Sequence, residues 1–422
     1  MKSRRDRVLG MGDLQARVVE EDEEPPDPLR IEIVTSLAGI EPAAWNVLVG
    51  QDDPFVEHEF LAALEETGVV GPGTPWQSRH VTAWEGSRLV GAMPFYLRHD
   101  SYGEYIFDFG WAEAYARAGL RYYPKGVVAV PFTPVTGARV LLAPPWGLDG
   151  ADGAGAAAAR GQVVAGAMVD ALTGLATSLG LSGVHVLFPR RAEHDFLVAR
   201  GFLSRVTHQY HWENRDYRSF DDYLADLRSK KRKQVLHERA EVVAQGLDIE
   251  VIEGDDVRAE HVDALWRFYL ATAERKWSQP YLVRETFEKL ARTWKRRLVL
   301  VLAREGDRYV AGTFNVRGAN ALYGRYWGAE GHFPSLHFEC CYWTLIDYAI
   351  ARGISLVEAG AQGEHKFLRG FNARPTYSAH WIAHPGGARA IGDFLTRERE
   401  HNEAVMKSYN RVSPVKSERA RS

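Results

Sequence analysis

The sequence predicts a mixed α/β protein built from two tandem copies of one unit, each a mostly antiparallel sheet flanked by helices. Two sequence matches, in the same order in both halves, indicate this duplication. Residues 81–90 (VTAWEGSRLV) match residues 301–310 (VLAREGDRYV) at six of ten positions. Residues 200–212 match residues 369–381 at seven of thirteen. Helix patterns alternate with strand patterns in each half, which favours a mixed sheet over a purely parallel one.

The chain has 422 residues, more than one hydrophobic core usually serves, so two domains are expected. Residues 1–28 combine mixed charge, an acidic run and three prolines, which predicts a disordered leader. We place the N-terminal copy at residues 29–218, a connecting basic helix at 219–246 and the C-terminal copy at 247–397. Residues 398–422 are rich in charge and are expected to form a polar tail.

In the N-terminal half, runs of β-branched and aromatic residues bounded by turn residues predict strands, and longer apolar periodicity predicts helices. An aromatic-rich stretch, residues 102–123, is more typical of a core or pocket wall than of a platform for nucleobases. A low-complexity connector, residues 143–161, precedes a helix. The predicted elements are strand 29–34, helices 42–49 and 57–66, hairpin strands 80–84 and 89–97, helix 162–179 and strand 184–188.

The C-terminal half repeats this order after a single long helix predicted at residues 220–246, which Gly246 would end. The predicted elements that follow are strand 247–253, helices 261–277 and 284–293, strands 298–304, 309–316 and 321–328, helix 338–351, and short strands at 354–357 and 376–381.

Composition excludes several functions. The net charge of −3 creates no overall field for DNA or an acidic membrane. No run of apolar residues is long enough to span a membrane, and the first residues lack the apolar core of a signal peptide. The two cysteines, Cys340 and Cys341, are adjacent in an apolar helical pattern, so neither a disulfide framework nor a metal site is predicted. Buried reduced thiols fit a cytoplasmic location.

The densest group of titratable side chains lies at residues 358–369, between glycines at the end of a predicted strand. Loops held by a rigid strand often carry function, although a solvated loop can have the same composition. A carboxylate or an imidazole can take a proton from an amine, so Glu358, Glu364 and His365 are the catalytic candidates. The candidate substrate-binding residues lie in this segment and on the preceding strand: Arg325, Trp327, Gln362, Lys366 and Arg369.

Alternation along the strand 321–328 places Arg325 and Trp327 on one face of the sheet. There Arg325 would hold an acidic group of a substrate and Trp327 would form a pocket wall. A cation–π arrangement on an edge strand would have the same sequence, so both interpretations stay open. His337 and Cys341 lie four residues apart on a predicted helix, where a packed cysteine is favoured over a Cys–His nucleophile.

Three stretches resemble the FemAB-like predicted N-acyltransferases, relatives of the Fem-type peptidoglycan aminoacyltransferases in the GNAT superfamily. LRSKKRKQVLHERAEVVAQGLDIEV (residues 227–251) is similar to the basic helix that joins the two Fem halves, and VAGTFNVRGANALYGRYWGAEG (310–331) and EAGAQGEHKFLRGF (358–371) carry the rest. The resemblance implies tandem GNAT-like domains and transfer of an acyl or aminoacyl group to an amine, linked to envelope precursors. We expect the active cleft in the C-terminal copy.

The sequence departs from the wider superfamily after Gly328. Acetyl-CoA enzymes usually have an Arg/Gln-x-x-Gly-x-Gly/Ala turn there, whereas this chain has AEGHFPSLHFE. Gly328, Gly331, Ser335 and His337 remain candidates for holding a pyrophosphate at the next helix start. We expect no tightly bound cofactor and weak or no acetyl-CoA binding, with acyl-CoA or aminoacyl-tRNA left open as donor.

The run from Arg228 to Lys233 is the densest basic segment and is by default a solvated helix face. Under the resemblance it could steer a phosphate-rich ligand, and we favour a small-molecule or peptidoglycan precursor over tRNA. The alternative function is a non-catalytic recognition protein that binds an envelope precursor or peptide with a degenerate transferase fold.

Overall fold

The structure is a computed structural model that describes residues 27–148, 155–275, 279–360 and 364–416. The expected leader lies almost entirely outside these ranges. The strands are β1 (Leu29–Val34), β2 (Trp76–Ser78), β3 (His80–Glu85), β4 (Arg88–Met93), β5 (Phe95–Arg98), β6 (Lys125–Val128), β7 (Leu141–Leu142), β8 (Gly183–Leu187), β9 (Leu203–Glu213), β10 (Leu247–Glu253), β11 (Leu298–Glu305), β12 (Arg308–Arg317), β13 (Ala321–Ala329), β14 (Leu356–Glu358) and β15 (Asn372–Ile382).

The helices are α1 (Pro42–Val49), α2 (His58–Glu66), α3 (Phe109–Arg117), α4 (Ala156–Ser178), α5 (Arg191–Ala199), α6 (Phe220–Asp226), α7 (Ser229–Ala244), α8 (Ala259–Arg275), α9 (Arg284–Thr293), α10 (Leu336–Phe338), α11 (Thr344–Ala351) and α12 (Pro385–Arg411). A π-helical turn, Glu339–Trp343, joins α10 to α11, and a 3-10 turn, Glu364–Arg369, precedes β15. No helix within the described ranges is long and apolar enough to cross a membrane.

The predicted duplication is confirmed by strand register. In the hairpin β3–β4, Val81 pairs with Met93, and in the hairpin β11–β12, Val301 pairs with Thr313. The pairs that follow these two correspond in the same way. Both hairpins also have a register shift at the same place, between Ala83 and Trp84 in the first and between Ala303 and Arg304 in the second. The strands β1 and β10 flank the two hairpins equivalently. The two halves are therefore copies of one α/β unit, as the matching sequences predict.

The two copies exchange their closing strands. The N-terminal strand β9 pairs with β14 of the C-terminal copy, and β15 pairs with β8 of the N-terminal copy. The strands β9 and β15 also pair with each other. Thr207 pairs with Thr376 near the middle of this contact, and their Oγ1 atoms are 2.8 Å apart. These threonines occupy equivalent positions in the repeat, so a pseudo-twofold axis passes between them. The result is one eleven-stranded sheet of order β10-β11-β12-β13-β14-β9-β15-β8-β6-β5-β2.

Two segments differ from their predicted form. The segment 220–246 is two helices rather than one, because the chain bends at Leu227 and Arg228, where Arg228 N–H donates to the Pro414 carbonyl at 3.0 Å. Residues 398–411, expected as a tail, continue α12, which lies across β9 and β15. Arg205 and Glu398 form an ion pair at 2.7 Å in this contact. The sequence of α12 is rich in charged residues and has few buried ones, so its apolar face is not evident from the sequence.

Helices cover both faces of the C-terminal half of the sheet. The helices α8 and α9 pack on one face together with Phe314 and Tyr326. The helix α7 and the α10–α11 region pack on the other face around Trp343, whose ring is fully buried. This sandwich holds β13 and β14 in the middle of the molecule, and the candidate site forms where these two strands separate.

Candidate active site

A gap opens in the centre of the sheet between β13 and β14. These parallel strands pair over three positions, from Ala321 with Leu356 to Tyr323 with Glu358, and then diverge. Glu358 is the last paired residue of β14, so its side chain stands where the gap begins. Two parallel strands that separate in this way leave backbone and side-chain polar groups of the sheet interior available to a ligand.

A β-bulge directs Arg325 toward the start of this gap. On β12, Asn315 pairs with Gly324 and Phe314 pairs with Tyr326, so Arg325 is an extra residue without a partner. A bulge turns a side chain away from the regular alternation of a strand. The backbone of β13 thus places a cationic side chain beside the carboxylate of β14.

The Arg325 guanidinium is buried with incomplete hydrogen bonding. Its Nη1 donates to the neighbouring Gly324 carbonyl at 2.9 Å, and its Nη2 is 3.5 Å from Glu358 Oε2. The guanidinium carbon lies 4.9 Å from the centroid of the Phe55 ring, which comes from the N-terminal copy. Arg325 Nε has no hydrogen-bond partner among the described residues. A buried cation with donors to spare is suited to binding an anion.

The Glu358 carboxyl group is buried, with 3% of the side chain exposed. Burial raises the pKa of Glu358 to about 7, although the nearby Arg325 charge opposes this increase. A group with that pKa exchanges protons readily near neutral pH, as a general base requires.

His211 is a site residue that the sequence reasoning missed. It lies on the exchanged strand β9 of the N-terminal copy and pairs directly with Glu358 on β14. Its Nε2 is 3.7 Å from Glu358 Oε1 and has no hydrogen-bond partner in the described part of the chain. Burial lowers the pKa of His211 to about 4, so the ring is neutral at pH 7. The one available signal was the repeat, which matches His211 with His380.

Lys366 lies across the gap. Its Nζ donates to the Gly360 carbonyl at 2.8 Å, beyond the end of β14. A Cβ atom added to Gly360 would lie 3.8 Å from Lys366 Nζ and 3.9 Å from the Gly324 carbonyl oxygen of β13, so Gly360 contacts both Lys366 and β13. Burial lowers the pKa of Lys366 to about 8, and the Arg325 charge adds to this effect. The gap therefore contains two cationic groups and one carboxyl group.

The other predicted residues of the segment 358–369 divide into two groups. Arg369 faces α7, where its Nη2 lies 3.1 Å from Glu238 Oε1 and its guanidinium carbon lies 3.4 Å from the Phe338 ring centroid. These contacts join the segment to the connecting helix. Gln362 lies outside the described residues, and Glu364 and His365 lie in the 3-10 turn, with their side chains outside the description.

Trp327 does not share a face with Arg325, so that part of the prediction is wrong. The bulge interrupts the alternation of β13 between the two residues. Trp327 contacts the His337 ring edge-on at 5.3 Å on the side of α10, whereas Arg325 contacts Phe55 and Tyr323. Trp327 is therefore a packing residue beside the site.

The four residues predicted to hold a pyrophosphate do not form an anion cradle. A Cβ atom on Gly328 would lie 1.9 Å from the Phe268 carbonyl oxygen, so close packing against α8 explains this glycine. Ser335 donates its hydroxyl proton to Glu241 Oε2 at 2.7 Å, which places a carboxylate at the start of α10. That helix has only three residues. His337 packs on Trp327, and Gly331 adopts a φ of +134°, which serves the turn. These residues do not fit the pyrophosphate of CoA.

The N-terminal copy has a buried ionic cluster at the start of β6. Lys125 Nζ, fully buried on β6, lies 2.7 Å from Glu104 Oε2 and 2.5 Å from Asp108 Oδ2. Arg98 also bonds Glu104, at 3.0 Å. Each carboxylate in this cluster therefore has a cationic partner.

The two strand-exchanged copies and the gap between β13 and β14 define a tandem GNAT-like protein. The chain belongs to the FemAB-like family, described as peptidoglycan biosynthesis/recognition, whose model matches residues 36–417.

Comparison with the solved structure of FemX agrees with this fold. FemX superposes with a TM-score of 0.50 at 10% identity, covering 86% of this chain and 100% of FemX. L-PGS from Bacillus licheniformis gives 0.47 at 10% identity, covering 79% and 95%. A tandem GNAT protein from the clavulanic acid biosynthesis pathway gives 0.43 at 12% identity, covering 85% and 99%. The sequence matches no curated protein. At such low identity, the likeness to FemX shows the fold alone.

Proposed function

We propose that this protein transfers an acyl or aminoacyl group to an amine of a peptidoglycan or other envelope precursor, with Glu358 as the general base. The observation that carries the proposal is the buried Glu358 carboxyl group, with a pKa of about 7, beside Arg325 where β13 and β14 separate. Membership of the FemAB-like family supports the class of acceptor. A cytoplasmic location is part of the proposal.

The proposed reaction forms one C–N bond and breaks one bond from the acyl carbon to its leaving group. The acceptor nitrogen attacks the acyl carbon, and Glu358 takes the proton that the nitrogen must lose. The leaving group departs with the electron pair of its bond and receives a proton. Arg325 and Lys366 supply positive charge near the carbonyl oxygen, where negative charge develops in the transition state. With a pKa of about 8, Lys366 is mostly protonated at pH 7.

The structure around α10 supports an aminoacyl donor over acyl-CoA. Glu241 places negative charge beside Ser335, where a pyrophosphate would need a donor. The helix α7, by contrast, begins with exposed basic residues. Within the described ranges, no carboxylate lies within 4 Å of Arg228, Lys230 or Lys233, so this charge is available to phosphate groups of a donor or precursor.

Product formation by matched variants tests the proposal. Wild-type protein is incubated with aminoacyl-tRNA and with nucleotide- and lipid-linked peptidoglycan precursors, and mass spectrometry detects the amide product. The variant Glu358→Gln should reduce turnover by about 10²–10⁴-fold, because the general base is lost. Normal turnover by folded Glu358→Gln protein would contradict the role of this residue.

A recognition protein without catalysis is the second candidate function. It is favoured by the burial of the Arg325 and Glu358 side chains, each below 5% exposed, and by the position of Lys366 across the gap. Under this proposal, calorimetry should detect precursor binding that Glu358→Gln leaves unchanged, and no donor should give a product. Detection of one product in stoichiometric excess over the protein would exclude it.

A further inference from the structure

Strand exchange creates two equivalent side-chain pairs, each with one residue from either copy. On the C-terminal side, Glu358 of β14 pairs with His211 of β9. On the N-terminal side, His185 of β8 pairs with His380 of β15. His211 and His380 match in the repeat, so His185 occupies the position that Glu358 has in the other copy. The His185–His380 pair can therefore be compared directly with the Glu358–His211 pair of the proposed site.

The N-terminal pair is complete. His185 Nδ1 and His380 Nδ1 are 2.8 Å apart, so one ring donates a hydrogen bond to the other. The remaining nitrogen of His380 lies 2.9 Å from Ser378 Oγ, and that of His185 lies 3.5 Å from the Tyr122 hydroxyl. Each ring nitrogen thus has a polar neighbour from the protein itself.

The C-terminal pair is incomplete. His211 Nε2 and Glu358 Oε1 are 3.7 Å apart, which exceeds the usual range of a hydrogen bond. His211 Nε2 and the nearby Arg325 Nε both lack a partner within the described residues, although both are buried. Buried polar atoms are almost always paired, so two such atoms around one carboxylate need an explanation. The occupied N-terminal pair shows that this fold can satisfy the same positions.

We propose that His211 is a positioning residue for Glu358. A small movement that closes the 3.7 Å separation lets the neutral ring donate its Nε2 proton to Glu358 Oε1, in the free protein as well as with substrate bound. This bond fixes the orientation of the carboxylate, whose Oε2 lies 3.5 Å from Arg325 Nη2, and favours the ionised form of the base. The inference rests on the proposed function, because it takes Glu358 as the group that receives the proton.

Charged groups from both copies face the pair and set the field in which Glu358 titrates. They lie on β9, β13 and β15, in the 3-10 turn, and in segments of the N-terminal copy near the gap: Asp53, Arg139, Glu213, Arg325, Lys366 and Arg374. Among these charged groups, His211 is a neutral residue that can donate a hydrogen bond to the Glu358 carboxylate. Its removal should therefore raise the pH at which Glu358 ionises.

The test compares His211→Phe, His211→Gln and the control His380→Gln. Phenylalanine fills the space of the ring but removes the donor, whereas the glutamine amide can donate from a position near Nε2. With precursor and aminoacyl-tRNA as substrates, His211→Phe should move the acidic limb of the pH–rate profile upward by about one unit and His211→Gln should restore it. His380→Gln should lower the melting temperature but leave the limb unchanged.

A measurement without substrate separates this inference from the proposed function. The difference in melting temperature between each protein and its Glu358→Gln double variant is followed from pH 5 to pH 9, which reports the ionisation of Glu358 directly. The midpoint should be higher in His211→Phe than in wild type, whether or not a product is found. An unchanged midpoint in His211→Phe overturns the inference, even if the wild type proves to be a transferase. A shifted midpoint with no product in any assay supports the His211 contact and contradicts the transferase proposal alone.

Discussion

Replacement of Glu358 by glutamine should change the pH dependence of stability, because glutamine keeps the shape of the side chain but cannot ionise. Burial raises the folded-state pKa of Glu358 from 4.5 to about 7. The folded state therefore holds this proton more tightly than the unfolded state. As pH rises from about 4.5 through 7, the wild type loses this contribution to stability, and above about pH 8 the loss is complete.

The size of this effect follows from the shift. A difference of about 2.5 pKa units between folded and unfolded states corresponds to about 3 kcal/mol at 1.36 kcal/mol per unit. The Glu358→Gln variant should thus become more stable relative to wild type by about 2–3 kcal/mol between pH 5 and pH 8, equivalent to several degrees in melting temperature.

Thermal unfolding of both proteins at pH 5, 6, 7 and 8, in buffers of equal ionic strength, measures the difference. Glu193→Gln is a matched control, since burial also raises the pKa of Glu193 to about 7. Glu193 accepts hydrogen bonds from the backbone N–H groups of Arg139, Val140 and Arg190 at the start of α5. Both variants should show the same trend with pH. If the melting temperatures of Glu358→Gln and wild type change with pH in the same way across this range, the pKa of Glu358 is not near 7 and the prediction is refuted.

Three further predictions follow from the contacts around the gap. Lys366→Met should lower turnover by about 10²-fold, because one group that stabilises negative charge is lost. Its melting temperature at pH 7 should equal or exceed that of the wild type, because a buried charge is removed. A loss of turnover in proportion to a loss of stability would indicate a structural role. Calorimetric titration with acetyl-CoA should show no binding in the micromolar range, because Glu241 faces the turn at Ser335, and micromolar affinity would contradict this account. Gly328→Ala should lower stability by about 1–3 kcal/mol in urea unfolding, because its Cβ would meet the Phe268 carbonyl oxygen at 1.9 Å, and an unchanged midpoint would show that α8 can move aside.

The duplication could be predicted from sequence because each matching pair includes a glycine with positive φ (Gly86 and Gly306, Gly201 and Gly370), a position that few residue types fit. The exchange of β9 and β15 could not, since each strand has the same apolar pattern whichever copy it joins. The continuation of α12 was missed for a related reason. Ile391 and Leu395 are its buried residues, and the residues that follow them, from Thr396 to Glu403, are mostly charged.

The candidate site was predictable in part. Local crowding pointed to Glu358 and Lys366, which the structure places at the gap. The orientation of Arg325 was not predictable, because a bulge breaks the alternation on which the expectation rested. His211 was missed because only the pairing of β9 with β14 brings it to Glu358. The register between strands that are distant in the sequence is set only when the sheet assembles, so it could not be predicted here.

The rate of amide formation at pH 7.5 by wild type, Glu358→Gln and Glu193→Gln, with aminoacyl-tRNA and a peptidoglycan precursor as substrates, tests the central claim most directly. Burial raises the pKa of both carboxyl groups to about 7, and Glu358 is the one that lies 3.5 Å from Arg325. The account predicts a loss of about 10²–10⁴-fold for Glu358→Gln and near-normal turnover for Glu193→Gln. Equal rates for all three folded proteins would contradict it.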